Sequence, residues 1–169
     1  MTPYVALLRA VNVGGTGALP MTRLKALGAD AGLANPRTYI ASGNLLFESD
    51  LTEPALIDRI EAALAQALDK RIEVFVRSLD ELEAIIAANP FPDAVGSRHM
   101  VFFHAAPLPH DFGDRCRDRR DERLSVNGRE LHVDYGEGIR TTKLKIPDKH
   151  SRTARNMNTV RKLAALLRA

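Results

Sequence analysis

The first half of the chain alternates between strand-like and helix-like patterns of apolar residues. Residues 4–13 form a mostly apolar run typical of a buried strand, and residues 21–33 follow with apolar side chains at helical spacing. Two short strands, a second helix with Thr52 as its predicted N-cap and a further strand complete the order βαββαβ. This order is that of a ferredoxin-like, or split βαβ, unit. Its remaining segments are the strands at 37–41, 45–48 and 72–77 and the helix at 52–68.

The second half follows a similar alternation, although no residues repeat. A helix capped by Ser78 or Asp80 is predicted to stop at the Asn-Pro pair at 89–90, and Asn-Gly at 127–128 predicts a tight hairpin. We therefore predict an α+β fold of two ferredoxin-like subdomains, 1–78 and 79–169, which can also be counted as a single domain. Each subdomain is expected to have a largely antiparallel sheet with helices packed on one face. The other predicted segments are strands at 99–104, 123–126 and 130–134, a charged stretch of one or two helical turns at 108–119, and a last, basic helix at 153–167.

Composition narrows the class of protein. The chain has 169 residues, of which 45% are hydrophobic, so it can bury a core without disulfides or metals as staples. Its single cysteine excludes an internal disulfide and a cysteine-rich zinc site. No run of about 20 apolar residues is present, and the N-terminus lacks the basic and apolar regions of a signal peptide. A cytoplasmic protein without membrane association is expected.

The formal net charge of +3 is unevenly distributed. Residues 1–90 contain 8 basic and 11 acidic residues, whereas residues 139–169 contain 9 basic residues and 1 acidic residue. A basic segment on a mildly acidic body is typical of proteins that bind an anionic partner, such as a phosphate, a nucleic acid or an acidic protein surface. The alternative interpretation is a solvated helix face paired with the acidic body.

The first of three polar segments follows the predicted first strand. Arg9 and Asn12 lead there into a glycine-rich turn that contains Gly14 and Gly15. A strand that runs through such a turn into a helix can place backbone N–H groups around an anion. Neither phosphate fingerprint matches, because Pro20 stands where a dinucleotide loop needs its third glycine and no P-loop Gly-Lys-Ser/Thr is present. The segment is therefore either an anion-binding loop or a tight strand-to-helix turn.

The second polar segment is the predicted hairpin turn formed by Ser42, Gly43 and Asn44. Serine and asparagine supply short hydrogen-bonding groups beside a flexible glycine, and all three residue types favour turns. The segment can contribute polar groups to a binding site, but an ordinary turn is the simpler explanation.

The third polar segment opens the predicted last helix and contains Arg155, Asn156 and Thr159. Basic side chains at a helix N-terminus are unfavourable in the helix dipole unless an anion binds there. In a helix that begins at Thr153, Arg155, Thr159 and Lys162 would share one face. Asparagine is costly inside a helix unless it caps the helix or binds a ligand. The segment is interpreted as a ligand site or as a solvated surface, with equal weight.

Other kinds of site are disfavoured by the residues present. Cys116 lies among arginines that could lower its pKa, but no base can be assigned to it. His99 and His104 stand five positions apart on a strand and so point to opposite faces, which argues against a shared metal. Aromatic residues are only 5% of the chain, which disfavours a base-stacking platform. No catalytic residue, metal site or cofactor is therefore predicted. The remaining histidines, His110, His132 and His150, are expected at the surface.

The three polar segments together resemble the signatures of a bacterial family of uncharacterised proteins, domain of unknown function 1697. The matching stretches are LLRAVNVGG at 7–15, TYIASGN at 38–44 and TARNMNTV at 153–160, with an Asn-Pro-Phe turn at 89–91. The chain departs from the family pattern at Met157, where tryptophan is expected. The resemblance covers essentially the whole chain and implies the same α+β pair of subdomains. It implies no activity, but it favours convergence of the three segments at one site.

The leading hypothesis is a binding domain for a phosphate-bearing ligand, either a nucleotide-like metabolite or a nucleic-acid backbone. Arg9 and Arg155 would pair with the phosphate, because guanidinium groups suit bidentate recognition. One alternative is an enzyme of unknown reaction that uses the same cleft. The other is an interaction module that docks an acidic protein through the basic C-terminal helix. The groups expected to donate to the ligand or orient it are Asn12, Gly14, Gly15, Ser42, Gly43, Asn44, Asn156 and Thr159.

Overall fold

A computed structural model of the protein describes residues 1–12, 18–147 and 151–169. The chain divides into two compact units, residues 1–84 with 162–169 (unit 1) and residues 85–161 (unit 2). The fold is α+β, with an antiparallel four-stranded sheet in each unit, as predicted. The helices and strands are β1 (Thr2–Leu8), α1 (Met21–Asp30), β2 (Ala34–Thr38), β3 (Asn44–Ser49), α2 (Glu53–Leu68), β4 (Val74–Ser78), α3 (Leu79–Ala87), β5 (His99–His104), β6 (Arg123–Asn127), β7 (Glu130–Asp134), β8 (Arg152–Asn156) and α4 (Met157–Arg168).

The sheet of unit 1 has the strand order β2-β3-β1-β4, which is the ferredoxin-like order. Inward residues of β1, β3 and β4 alternate with residues of the opposite face and pack with α1 and α2 into one apolar core. The central members of that core are Ala6, Leu8, Leu24, Leu45, Phe47, Leu56, Ile60, Leu64, Val74 and Val76.

The opposite face of the same sheet is also largely apolar. In register on this face, Val5 lies opposite Leu46, and Leu7 lies opposite Phe75, and all four side chains are buried. A sheet buried on both faces explains why the strands appear in the sequence as nearly continuous apolar runs.

The sheet of unit 2 repeats the strand order of unit 1, as β6-β7-β5-β8. Its two crossovers contain short 3₁₀ helices, Phe112–Arg115 and Gly136–Arg140, where unit 1 has α-helices. The first crossover is rich in proline and charge and the second contains three glycine and proline residues, so neither offers a long apolar helical stripe. One face of the sheet packs on these crossovers through Leu131 and Val133.

The other face of the unit 2 sheet is buried and combines several polar side chains with the apolar Val101 and Phe103. The strand register places side chains of β5, β7 and β8 together on this face, and each is 9% exposed or less. Unit 2 therefore buries several polar groups on the face where unit 1 buries mostly apolar ones, with Arg77 opposite Val5. The polar residues of this face are His99, Glu130, His132, Asp134, Thr153 and Arg155.

The predicted last helix is wrong in its first part. Residues 152–156 form strand β8, paired antiparallel with β5, and the helix begins only at Met157. Pairing with a neighbouring strand overrides the weak local helical pattern. Consequently Arg155 does not share a helix face with Thr159 and Lys162, and the basic C-terminal segment is not a single helix.

Two of the predicted caps have different outcomes. Ser78 caps α3 in a capping box, because its Oγ accepts the Glu81 backbone N–H at 3.2 Å and the Glu81 carboxylate accepts the Ser78 N–H at 2.9 Å. Thr52 occupies the N-cap position of α2 but makes no side-chain capping hydrogen bond. The hairpin predicted at Asn127 and Gly128 is confirmed by the pairing of β6 with β7.

Candidate functional site

The segment that follows β1 is held in place by Asn12. Its side-chain amide donates to the Leu19 and Ala41 carbonyls at 2.9 and 2.8 Å, and its Oδ1 accepts the Leu19 N–H. Ala10 and Asn12 both adopt positive φ angles of 56°, a conformation that non-glycine residues seldom adopt. The Asn12 amide thus ties the end of the β1 segment to the hairpin turn. Gly14 and Gly15 lie outside the described residues.

The hairpin turn between β2 and β3 lies against this segment. The Asn44 side chain is fully buried and donates to the Tyr39 carbonyl at 2.9 Å and to the Ser42 Oγ at 3.1 Å. Gly43 has a φ of 89°, and a Cβ there would lie 2.6 Å from the Val11 side chain. The first two predicted segments are therefore neighbours in unit 1. Their asparagine amides form hydrogen bonds within the chain.

The third predicted segment lies in unit 2, on β8 and at the start of α4. The Arg155 guanidinium is buried and donates to the Thr153 hydroxyl and the Ala154 carbonyl at 3.0 and 2.8 Å. Burial lowers the pKa of Arg155 to about 10, which leaves it charged at neutral pH. Asn156 caps α4, because its Oδ1 accepts the Thr159 N–H at 2.9 Å.

A pair of histidines lies on the buried polar face of unit 2. His99 Nε2 and His132 Nδ1 are 2.8 Å apart, and the expected surface position of His132 is wrong because this residue is fully buried. Burial, and next the charge of His99, lower the pKa of His132 to about 4, and burial also lowers the pKa of His99. Both imidazoles are therefore neutral at pH 7. His110 is exposed, as expected, and His150 lies outside the described residues.

A basic cavity of about 280 Å³ lies in unit 1 where β1 ends and β4 begins. It is lined by Arg9, Lys70, Arg71 and Glu73, together with Ala10 and Ile72. Arg9 Nη1 lies 3.1 Å from Glu73 Oε1, and no ion pair involves Lys70 or Arg71 within the described part of the chain. The cavity thus combines three cationic side chains with one carboxylate.

The sequence pattern alone does not indicate that Lys70 and Arg71 belong to a candidate site. They form a short basic turn after α2, a location that by itself indicates only solvent exposure. The βαββαβ order contains the missing signal, because it makes β1 and β4 antiparallel neighbours. That pairing brings the residues before β4 beside the residues after β1, and so beside Arg9.

Cysteine and metal chemistry receive no support from the described residues. Burial raises the pKa of the Cys116 thiol despite its arginine neighbours, so the thiol is not activated at neutral pH. No group of three or more His, Cys, Asp or Glu side chains in ranges 1–12, 18–147 and 151–169 is arranged to hold a metal. In the same ranges, no helix has the length and apolar character needed to cross a membrane.

Three comparisons with known proteins place this geometry in context. A family model described as "Protein of unknown function (DUF1697)" matches residues 1–132. Among solved structures, a conserved bacterial protein, SP0830 from Streptococcus pneumoniae, is similar over 98% of both chains, with 25% sequence identity and a TM-score of 0.79. No curated protein matches the chain.

Proposed function

The chain belongs to the DUF1697 family of proteins of unknown function, and from that premise we propose that it binds a phosphate-bearing ligand in the basic cavity of unit 1. The observation that carries this proposal is the meeting of Arg9, Lys70 and Arg71 at one cavity. Guanidinium groups bind phosphate oxygens through two parallel hydrogen bonds, and an ammonium group adds a point charge.

The charge balance of the cavity favours an anion. Glu73 is the only acidic residue among the lining residues, and its partner Arg9 has a half-exposed side chain. An exposed ion pair contributes little free energy, so a phosphate can compete with Glu73 for Arg9 at small cost. Lys70 and Arg71 are exposed and available to the same ligand.

The size and lining of the cavity point to the phosphate as the recognised group. A volume of about 280 Å³ is at the lower limit for small-molecule pockets, and the lining contains no aromatic side chain for stacking. The remainder of the ligand would then extend outside the cavity, whether it is a metabolite or a nucleic-acid strand. The Asn12 and Asn44 hydrogen bonds support the proposal by fixing the segment on which Arg9 stands.

The experiment is a calorimetric titration with pyrophosphate, followed by a panel of nucleotides and a short single-stranded DNA. Arg71→Gln is expected to weaken binding at least tenfold, because a charge-assisted hydrogen bond contributes about 1.5–3 kcal/mol. Glu73→Gln is expected to tighten binding about fivefold, since it removes the carboxylate that competes for Arg9. Lys25→Gln on the exposed side of α1 is the matched control and should leave the affinity unchanged.

The two opposite shifts make the test specific. If Lys25→Gln weakens binding as much as Arg71→Gln, the protein attracts anions only through its overall charge and the proposal is wrong. Equal affinities of the Arg71→Gln and unsubstituted proteins would also contradict it.

A further inference from the structure

We propose that unit 2 contains a second phosphate-binding site, formed by Arg115, Arg117 and Lys145. These three cationic side chains line a cavity of about 270 Å³, whose remaining wall is Ile146 and Pro147. The site is independent of the one proposed in unit 1, because the two share no residue.

The geometry of Arg117 and Lys145 carries the proposal. Each backbone N–H donates to the carbonyl of the other at 2.9 Å, which makes them a directly opposed antiparallel pair. In such a pair the two side chains extend on the same side and lie close together. Like charges directly opposite each other repel, and an anion bound between the two side chains would remove that repulsion.

Arg152 holds the backbone of the wall formed by Ile146 and Pro147. Its guanidinium donates to the Pro147 carbonyl at 2.9 Å and to the Ile146 carbonyl at 3.4 Å. These bonds hold the backbone next to Lys145, and the reciprocal bonds to Arg117 hold the opposite wall. Arg117 and Lys145 therefore stand on backbone that is fixed by hydrogen bonds. Binding a ligand then costs less conformational entropy than it would on a mobile loop.

Two carboxylates form ion pairs with these basic residues but are not among the residues that line the cavity. Asp111 pairs with Arg115 at 3.2 Å, and Asp118 pairs with Lys145 at 3.4 Å. All four of these side chains are about half or more exposed, so the pairs are weak and can exchange partners. Arg117 makes no ion pair with any described residue. Unlike Arg115 and Lys145, it can therefore bind an anionic ligand without first breaking an ion pair of this kind.

The chemistry of the lining selects a phosphate group and not a base or a sugar. The lining residues include no aromatic side chain for stacking and no carboxylate or amide to accept from a hydroxyl or a base. Arginine and lysine side by side suit the several oxygens of a phosphate. A phosphomonoester and a nucleic-acid backbone both present this group.

The test uses the full-length protein carrying Lys70→Gln and Arg71→Gln, which removes two of the three basic residues of the unit 1 cavity and leaves Arg9 paired with Glu73. Inorganic phosphate and a single-stranded oligothymidylate are titrated separately, with amide NMR shifts of Arg117 and Lys145 as the readout. Arg117→Gln in this background is expected to weaken binding about tenfold and to abolish the shift at the Lys145 amide. For the oligothymidylate it should also reduce the salt-dependence slope by about 0.7.

Arg120→Gln is the matched control, because it makes the same change of charge on the same segment but does not line the cavity. Binding of either probe that depends on Arg117 and not on Arg120 supports the site, and the probe bound more tightly identifies the source of the phosphate. Equal loss in both variants, or no loss in either, overturns the proposal. Since Lys70 and Arg71 are already substituted, failure here leaves the unit 1 proposal standing.

Discussion

The two units have the same strand order but differ in their crossovers and in the side chains that their sheets bury. In unit 1 the crossovers are α-helices of 10 and 16 residues, and both faces of the sheet bury apolar side chains. In unit 2 the crossovers carry 3₁₀ helices of 4 and 5 residues, and one buried face combines Val101 and Phe103 with histidine, arginine, carboxylate and threonine side chains. Strand order therefore does not require helical crossovers or an apolar second face.

The difference has energetic consequences. An apolar face is stabilised by burial alone and tolerates small shifts of its neighbours. A buried polar face is stable only while its groups keep their hydrogen bonds and their protonation states. Unit 1 should therefore respond mainly to changes in packing, and unit 2 should respond also to changes in pH.

Removing a buried ring should cost more in unit 1 than in unit 2. Phe47→Ala is expected to lower the free energy of unfolding by about 4 kcal/mol, because α1 and α2 hold the resulting cavity open. Phe112→Ala is expected to cost about 3 kcal/mol, since its short 3₁₀ segment can partly collapse into the space. Urea unfolding of both variants measures the difference. A larger loss for Phe112→Ala would reverse the contrast.

Acid should weaken unit 2 through His132. The pKa of His132 is about 4 in the folded protein and about 6.5 in the unfolded chain, so the unfolded chain binds more protons between these values. This stabilisation is fully present above pH 6.5 and is lost as the pH falls towards 4, by about 3 kcal/mol in total. Urea titrations from pH 7.5 to 4.5 should show the loss, and His132→Gln should flatten it.

A second variant, at the partner histidine, and a comparison with a strand of unit 1 extend this test. His99→Gln should also flatten the curve, because burial lowers the pKa of His99 as well. As the pH is lowered, amide exchange in β7 should begin to accelerate at a higher pH than exchange in β3, because β3 contains no histidine. Parallel pH curves for His132→Gln and the unsubstituted protein would show that the histidine pair has no role in acid sensitivity.

Substitutions at two glycines distinguish the cost of backbone strain from the cost of close packing. Gly43→Ala is expected to cost about 2 kcal/mol, because its φ is 89° and the added Cβ would lie 2.6 Å from Val11. Gly128→Ala in the unit 2 hairpin is expected to cost only about 1 kcal/mol, since its φ is 60° but nothing lies within 4 Å of the Cβ. Thermal unfolding measures both changes. Equal costs would mean that the hairpin does not pack tightly against the β1 segment.

The sequence predicts unit 1 better than unit 2 for a physical reason. The helices and strands of unit 1 carry apolar residues at spacings of 3.6 and 2, so their patterns reflect the faces they bury. The polar face of unit 2 breaks that link, because His132 and Arg155 are buried through tertiary pairing and not through apolarity. Their burial follows from the register of β5, β7 and β8, which the sequence alone does not contain.

The candidate site shows the same limit. Arg9 is identifiable from its position after a buried strand, whereas Lys70 and Arg71 gain significance only when β4 is placed beside β1. Local motifs therefore locate part of a site, and topology supplies the rest.

The smallest predicted effect concerns the two helix starts at which the sequence pattern and the structure differ. Thr52 has the sequence pattern of a cap but makes no capping hydrogen bond, whereas Asn156, predicted inside a helix, caps α4. Asn156→Ala is expected to lower the free energy of unfolding by about 1 kcal/mol, and Thr52→Ala by less than about 0.5 kcal/mol. Asn156→Asp should keep the stability, because a carboxylate also accepts the Thr159 N–H and interacts favourably with the helix dipole. If Thr52→Ala costs more than Asn156→Ala in urea unfolding, the helix starts follow the sequence pattern and the assignment of the cap to Asn156 is wrong.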